Sequence, residues 1–321
     1  MHVEHVELKR FKRFHDLIIE LPKGVRLVML AGPNGCGKSS LFEAFKSRHR
    51  AISGWGVNWD VTYFPKAGEA DAAQFNWESS VRIQFDKPQP SDQERRRRMF
   101  YFRSAYRNDP QFVVSSLSRQ GKAVDELRFQ LMIDNDAAVN LNYQRLASQA
   151  LEDLFEKEAE TTTIGEFKRK LIGDVRSSMG RLFPDLMLND LGSPLTTGTF
   201  RFDKGNSHHF EYRNLSGGEK AAFDLLLDCI VKRRDCDDTV YCIDEPEAHM
   251  NMQLQAGLLG ELVSNLPDGC QLWLATHSIG MMRCARDLAA REPGTVAFLD
   301  FSNLDFDKPQ LKACQKINRT S

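Results

Sequence analysis

The sequence has no long apolar run, no leader-like start and no marked excess of either charge. Its longest apolar stretches, Val25–Ala31 and Leu225–Val231, are each broken by a charged residue, so we expect no membrane span. The polar opening Met1–Phe14 lacks the apolar core of a signal peptide. Lys and Arg number 43 against 44 Asp and Glu, which excludes a generally basic coat for nucleic acid but leaves a local basic patch open. These absences predict a cytoplasmic protein.

Metal-binding patterns and repeats are also missing. The 7 cysteines form no Cys-x-x-Cys pair and no cluster with histidine at zinc-ligand spacing, which predicts reduced thiols and no structural metal. There is no internal repeat, low-complexity tract or long heptad array, so solenoids and extended coiled coils are excluded. The 321 residues, of which 41% are hydrophobic, suffice for two domains or for one large α/β domain with an insertion.

Hydrophobic periodicity predicts alternating strands and helices. Alternation on either side of Lys9–His15 indicates two strands, and the continuously apolar Val25–Ala31 is typical of a strand buried on both faces. Helical texture extends from about Val124 to Leu191, with an apolar stripe between Phe167 and Leu182. The other predicted elements are a helix from Ser39 to Lys46, strands Val81–Phe85 and Met99–Arg103, a hairpin around Lys204–Ser207, helices Gly217–Val231 and Met252–Asn265, and strands Val240–Asp244, Leu272–Ala275 and Val296–Phe301.

A phosphate-binding loop follows the buried strand. Residues Gly32–Ser39 read GPNGCGKS, which matches G-x-x-x-x-G-K-[ST] between a strand and a helix. The glycines let successive backbone N–H groups point at phosphate oxygens, and the helix N-terminus adds positive potential. Lys38 would supply a point charge to the β- and γ-phosphates, and Ser39 would place its hydroxyl on Mg²⁺.

Two further strands end in residues suited to phosphate chemistry. Val240–Asp244 ends in Asp244 and Glu245; the first would complete the Mg²⁺ site and the second would polarise an attacking water. Leu272–Ala275 leads into His277, which would reach the γ-phosphate and report its presence.

The stretch Asn214–Lys220, NLSGGEK, predicts a second anion site. Ser216 is a natural N-cap, and Glu219 three residues later completes a capping box. Gly217 and Gly218 leave the first-turn amides bare at the positive end of the helix dipole. The chain thus has two separate elements suited to bind phosphate, the loop Gly32–Ser39 and the helix start at Ser216. This indicates that two chains share two nucleotides.

These motifs together resemble the ABC-type ATPase superfamily. GPNGCGKSS is similar to its Walker A motif, LSGGEK to its signature, CIDEPE to its Walker B motif and ATHS to its histidine switch. The opening VELKRFKRFHDLIIELPKG and the stretch DEPEAHMN resemble the SMC/RecF and overcoming-lysogenisation-defect (OLD) branch more than transporter subunits. The resemblance covers about residues 1–50 and 195–301.

The resemblance implies an α/β P-loop NTPase head with a mixed core sheet, N-terminal antiparallel strands and a helical insertion. Residues 1–105 and 235–321 would form the nucleotide-binding lobe, and 106–234 the helical lobe that carries the signature. Glu247–Asn251 would be the dimer-facing D-loop. The residues that would bind ATP are Lys12 or Arg13 from the strand-pair loop, Gly32, Pro33, Asn34, Gly35, Cys36, Gly37, Lys38, Ser39 and Ser40 from Walker A, and Ser216, Gly217, Gly218 and Glu219 from the partner's signature.

Three features depart from the family pattern. The Q-loop glutamine has no clear counterpart: Gln111 is a candidate, and Arg103 or Arg107 stands as an alternative. The insertion is too short for SMC coiled-coil arms, and no C-terminal TOPRIM nuclease follows His277. An effector on the same chain is therefore not expected.

The resulting hypothesis is an ATPase that closes as a homodimer, or a higher oligomer, around two Mg·ATP and licenses a separate effector such as a nuclease or toxin. The resemblance implies a role in DNA maintenance or prokaryotic antiphage defence. The alternative is a nucleotide-gated scaffold that hydrolyses ATP negligibly and holds a toxic partner inactive. A transporter ATPase is disfavoured by the strand pair and DEPEAHMN. The four arginines Arg95–Arg98 have two interpretations: a basic strip that contacts the phosphate backbone of a nucleic acid, or simply a solvated surface.

Overall fold

The computed structural model describes residues 1–56, 63–64, 77–104, 141–149, 152, 163–193 and 197–313. Its elements, in chain order, are β1 (Val3–Phe11), β2 (Phe14–Glu20), β3 (Leu27–Ala31), α1 (Lys38–Ile52), α2 (Trp77–Ser80), β4 (Val81–Phe85), α3 (Gln93–Arg97), β5 (Phe100–Arg103), α4 (141–149), α5 (Ile164–Leu182), β6 (Leu186–Ser193), β7 (Thr197–Lys204), β8 (Ser207–Glu211), α6 (Gly217–Lys232), β9 (Val240–Asp244), α7 (Met252–Asn265), β10 (Gln271–Thr276), α8 (Ile279–Arg291), β11 (Val296–Asp300) and β12 (Pro309–Ala313).

A parallel five-stranded sheet lies at the centre, in the order β11-β3-β10-β9-β5. Its strands are almost continuously apolar because both faces are covered, as expected of a parallel sheet. The carboxyl ends of β3, β9 and β10 meet at one edge of the sheet. The segments that follow these three strands, with the predicted phosphate loop, acidic pair and histidine, are therefore brought to the same edge.

The two faces of this sheet pack into two separate apolar clusters, because successive side chains of a strand point to opposite faces. Val28, Leu30 and Trp273 face one cluster, which includes α1 and the inner faces of β1, β2 and β4. Met29 and Leu274 face the other, which includes α5, α6 and α7. The helix that opens at the phosphate loop and the helix that carries the predicted signature thus lie on opposite faces.

Two smaller sheets flank the centre. The antiparallel pair β1-β2 is extended by β4 on one side and, in parallel, by β12 on the other, in the order β12-β2-β1-β4. β6, β7 and β8 form an antiparallel sheet immediately before the signature stretch. The predicted N-terminal strand pair and the hairpin around Lys204–Ser207 are both confirmed, and the α/β class with them.

Several elements differ from expectation. The helical texture predicted as far as Leu191 ends at Leu182, and Leu186–Ser193 is a strand that pairs with β7. The apolar stripe of α5 could be interpreted from the sequence either as a partner surface or as internal packing, and its described part supports internal packing, because Ile172, Val175 and Met179 are all buried in the core. The side chains of Phe167 and Leu171 lie outside the described residues.

The basic run also has an unexpected structure, since Gln93–Arg97 is a short helix capped by Asp92. Arg96 and Arg97 donate to the backbone carbonyls of Pro90 and Ser53, and Arg98 pairs with Glu94. Among the described residues, no helix is long and apolar enough to cross a membrane.

Candidate nucleotide-binding site

Glycine is required in the phosphate loop by close contacts as well as by backbone angles. Gly32 and Gly37 have φ of 153° and 96°, in the region that side chains disfavour. A Cβ on Gly32 would lie 2.7 Å from the Cys36 sulfur, and one on Gly37 would lie 2.8 Å from the Phe14 ring. Gly37 is the N-cap of α1 and makes no side-chain cap, so the first amides of this helix remain available to an anion.

Lys38 is folded over the loop that precedes it. Its ammonium donates to the carbonyls of Gly32, at 2.7 Å, and Pro33, at 3.0 Å. Only 5% of Lys38 is exposed, which is uncommon for lysine. Phosphate binding would exchange these carbonyl contacts for charge-assisted bonds to phosphate oxygens, which are stronger.

Ser39 and Asp244 meet at the carboxyl ends of β3 and β9. The Ser39 hydroxyl donates to Asp244 Oδ2 at 2.7 Å, and Asp244 is 5% exposed. Burial raises the pKa of the Asp244 carboxyl above its ordinary value, and the negative charge of Glu245 adds to the rise, against the opposing effect of the Ser39 hydrogen bond and the Lys38 charge. A buried carboxylate beside a hydroxyl is the kind of oxygen ligand pair that Mg²⁺ takes, so these two residues fit the predicted metal site.

A cavity of about 800 Å³ extends over the loop and both acids. Glu245 lines it in a left-handed backbone conformation, with φ of 46°, while its N–H donates to the Ala275 carbonyl at 2.8 Å. Strained backbone of this kind is concentrated at functional sites, where surrounding structure holds it. The cavity is lined by Arg13, Asn34, Gly35, Cys36, Gly37, Lys38, Ser39, Ser40, Glu43, Ser104, Asp244, Glu245, Ala248, His249 and Phe306.

His277 stands beside this cavity, not among its lining residues. Its side chain is 52% exposed, and its Nδ1 lies 3.5 Å from Glu247 Oε1 and 3.8 Å from Glu245 Oε1. Glu247 is 3% exposed, and the same Oε1 accepts from the Thr276 hydroxyl at 2.6 Å and from the His277 N–H at 3.0 Å. Glu247 therefore fixes the backbone from which His277 projects.

The predicted capping box is present at the start of α6. The Ser216 side chain accepts from the Glu219 N–H, and Glu219 Oε2 accepts from the Ser216 N–H at 2.8 Å. The other Glu219 oxygen accepts from Lys204 at 2.6 Å. Burial acts to raise the pKa of Glu219, but Lys204 and the Ser216 contacts outweigh it and leave that pKa below its ordinary value. The Glu219 carboxylate is thus occupied within its own chain, and its backbone amide is taken by the cap.

None of the four signature residues lines the phosphate-loop cavity of its own chain. Ser216 and Gly217 are exposed, and Gly218 lies against the D-loop, where an added Cβ would be 3.3 Å from the His249 carbonyl oxygen. The first turn of this helix is therefore exposed at Ser216 and Gly217, outside the lining of the cavity that holds Lys38.

The two basic residues of the β1–β2 turn differ in what they contact. Lys12 forms an ion pair with Glu43 of α1. Arg13 lines the cavity, with its guanidinium carbon 4.6 Å from the centre of the Phe306 ring. Of the two residues predicted to approach the nucleotide, Arg13 is the one in the cavity.

The Q-loop alternatives are narrowed by the structure. Arg103 is 1% exposed and pairs with Asp228 of α6 at 3.2 Å, so it does not stand in for a nucleotide-facing glutamine. The next residue, Ser104, lines the cavity. Gln111 and Arg107 lie outside the described residues.

Sequence reasoning missed Phe306, Ser104 and the contact of Glu247 with the histidine segment. Glu247 belongs to the motif DEPEAHMN, but only the pairing of β9 with β10 shows that it binds Thr276. Phe306 carries no motif at all. It reaches the cavity because β12 pairs with β2 and brings the preceding segment across the phosphate loop.

The fold is that of an SMC head, and the site has the phosphate loop and acidic pair of a P-loop ATPase. The chain is similar to a crystal structure of the SmcHead bound to the C-winged helix domain of ScpA, with a TM-score of 0.50, 15% identity and 95% of each chain covered. At that identity the likeness concerns the fold alone.

The chain belongs to the family described as "AAA domain, putative AbiEii toxin, Type IV TA system", whose model matches residues 27–283. A second model, described as an AAA domain, matches residues 1–49. Two phosphate import ATP-binding proteins PstB, from Synechococcus elongatus and another Synechococcus strain, are 28% and 27% identical over 136 residues, or 41% of this chain. The chain spans about half the length of these curated relatives.

Proposed function

We propose that this protein hydrolyses ATP at the cavity over the phosphate loop and closes as a homodimer around two nucleotides. One observation carries the proposal: Ser39 and Asp244 are in contact at 2.7 Å, in a cavity that Lys38 and Glu245 also line. The residues proposed to bind phosphate, to bind metal and to act as the base, which come from two segments about 205 residues apart, thereby lie at one sheet edge.

Each residue has a distinct role in this proposal. The loop amides and Lys38 hold the β- and γ-phosphates, and Ser39 and Asp244 hold Mg²⁺, which neutralises developing phosphate charge. Glu245 orients a water and accepts its proton. His277, held by Glu247 next to Glu245, contacts the γ-phosphate once two heads close. Ser216, Gly217 and Gly218 of the partner supply amides; the exposure of Ser216 and Gly217, and the absence of all three from the lining of the chain's own cavity, support this.

The substitution Glu245→Gln tests hydrolysis and dimerisation together. It removes the base but keeps the shape, so we expect hydrolysis to fall by about a hundredfold or more while ATP still binds. ATP then persists between two heads, and light scattering should show dimerisation, or a tighter dimer, when Mg·ATP is added. Hydrolysis at the wild-type rate would show that Glu245 is not the base.

A second substitution, Ser216→Arg, tests the proposed contact between the signature of one chain and the nucleotide bound by its partner. Added to Glu245→Gln, it blocks the bare amides of α6 and should abolish the ATP-dependent dimer, while ATP binding by each head is largely spared. The matched control is Arg213→Ala, an exposed residue just before this motif that pairs with Glu211 at the surface. A mass indifferent to ATP in the Glu245→Gln variant contradicts the shared-nucleotide dimer.

The proposed role of the cycle is to license a separate effector, such as a nuclease or toxin, in DNA maintenance or antiphage defence. The family description, which names a putative toxin of a toxin–antitoxin system, supports this context. The competing function is a scaffold that binds ATP without turnover and holds a toxic partner inactive. Steady-state hydrolysis with and without DNA separates the two, since a scaffold shows no turnover above the Glu245→Gln background in either condition.

A further inference from the structure

The phosphate-loop cavity extends to two side chains that phosphate and metal binding leave unexplained. Arg13 enters from the turn between β1 and β2, and Phe306 from the segment between β11 and β12. Asp244 contacts the loop at Ser39, whereas the Phe306 ring lies at Gly37, about 3.1 Å from where a Cβ would stand. The aromatic ring and the carboxylates therefore border the loop at different points, which leaves space for a ligand longer than its phosphates.

Phe306 is held in place by both backbone and ring contacts. Its carbonyl accepts from the His15 N–H at 3.0 Å, which ties the segment to the start of β2. Its ring packs against Phe14, with ring centres 5.1 Å apart, and Phe14 is itself 2% exposed. A half-buried aromatic ring anchored on a buried one keeps its orientation without a ligand.

Arg13 makes a cation–π contact with this ring, with 4.6 Å between its guanidinium carbon and the ring centre. The neighbouring Lys12 is directed to Glu43 of α1 instead. Guanidinium planes and aromatic rings are the two protein surfaces on which nucleobases stack. The Arg13–Phe306 pair offers both in a cavity that is also lined by the phosphate loop and by Asp244 and Glu245.

We propose that Arg13 and Phe306 form the base-binding end of this site, where the guanidinium, backed by the Phe306 ring, provides the platform on which the nucleobase stacks. The proposal rests on the proposed binding of ATP and adds a residue, Phe306, that no motif of the sequence identifies. The segment between β11 and β12 would then bind the ligand through Phe306, in addition to linking the two strands.

The test compares ATP with inorganic tripolyphosphate, which carries the phosphates without a base, by calorimetric titration in Mg²⁺. Phe306→Ala should weaken ATP binding by roughly five- to a hundredfold, the range expected for loss of one base-stacking contact, and leave tripolyphosphate binding within about twofold. Phe306→Leu, which keeps apolar bulk without a π-face, should behave like Phe306→Ala, and Phe306→Trp should retain ATP affinity. Unchanged thermal stability of the leucine variant separates this loss from unfolding.

Two controls make failure interpretable. Leu311→Ala alters an exposed residue of β12 that does not line the cavity and should affect neither ligand. Lys38→Ala should weaken both ligands. Wild-type protein that binds neither ligand overturns the proposed function itself. Wild-type protein that binds both, with Phe306 variants that weaken ATP and tripolyphosphate equally or not at all, overturns the base platform alone.

Discussion

At the scale of single residues, His49 shows how the helix behind the phosphate loop is locked to the core. It lies in α1, is 0% exposed, and is surrounded by Trp55, Phe100 and Phe102. Its Nε2 lies 3.0 Å from the Arg96 carbonyl oxygen. Because a carbonyl only accepts, the neutral ring carries its proton on Nε2 and donates it there. Burial lowers the pKa of His49 to about 4, because the apolar surroundings oppose the charged form, although carbonyl contacts partly offset this.

We expect His49 to make the protein less stable as the pH falls from about 6.5 towards 4. The unfolded chain takes up a proton near its ordinary pKa, whereas the folded chain takes it up only near 4, so stability is full above 6.5 and lost below it. Urea unfolding at pH 7.5 and pH 5 should show a loss of about 2 kcal/mol from this residue. Between the two pH values, the free energy of unfolding of His49→Gln should fall by about 2 kcal/mol less than that of wild type. The control His208→Gln, on the exposed hairpin, should show the same fall as wild type. Equal losses in wild type and His49→Gln would exclude a buried neutral imidazole.

At the scale of elements, β5 and α6 are joined by charges with no access to solvent. Asp228 of α6 accepts from Arg103 at the end of β5, from Lys232 one turn along the helix, and from Asn142 of α4, at 2.8–3.2 Å. All four residues are at most 1% exposed. Burial raises the pKa of Asp228, and Lys232 opposes the rise. The helix that presents the signature is thus held to the strand that leads into Ser104 of the cavity.

Removing the Asp228 carboxylate should lower the free energy of unfolding substantially. Asp228→Ala leaves two buried cations without their shared carboxylate, and we expect a loss of about 3–5 kcal/mol in the free energy of unfolding. Asp174→Ala breaks the exposed pair between α5 and Arg233, just beyond the same helix, and should cost no more than about 1 kcal/mol. Urea midpoints measure both. Equal effects of the two substitutions would show that the buried cluster does not hold α6.

At the scale of the whole molecule, the described residues hold one candidate nucleotide site, at the carboxyl edge of the central sheet. No group of three or more His, Cys, Asp or Glu in the described part of the chain is placed to hold a metal ion. The apolar stripe that could have docked a partner is buried over its described part. Under the proposed function, the surface that an effector recognises is the one that two heads form when they close around nucleotide.

We therefore expect a partner whose capture depends on nucleotide. The tagged Glu245→Gln variant, purified from its own host in Mg·ATP, should recover a second protein, and the product of a neighbouring open reading frame is the first candidate to identify by mass spectrometry. Lys38→Ala, processed in parallel, should recover little of it. A partner recovered equally with both variants contradicts licensing by the ATP-bound state, and recovery of the ATPase alone contradicts the effector.

The elements predicted best from the sequence are those with one strong local signal. The bounds of β9 and α7 match expectation because a continuous apolar run ends at charged residues in the first and Asn251 caps the second. The contact of Ser39 with Asp244 could be predicted because the parallel strands β3 and β9, on either side of β10, end at the same edge of the sheet. β6 was missed because Leu186–Ser193 mixes apolar and polar residues without clear alternation, and its strand identity comes from pairing with β7. Phe306 was missed because its place depends on a strand pairing about 290 residues apart.

The pairing of β3 with β10 and β11 has a consequence for the timing of assembly. The phosphate loop is synthesised before the strands on both sides of β3, which lie at Gln271–Thr276 and Val296–Asp300. Contacts so distant in sequence form late and slowly, because a long loop must close before they contribute. On the ribosome the loop therefore emerges more than two hundred residues ahead of the two strands that flank β3. We expect a nascent chain stalled before β10 not to retain nucleotide, and a chain that has passed β11 to be the first that does.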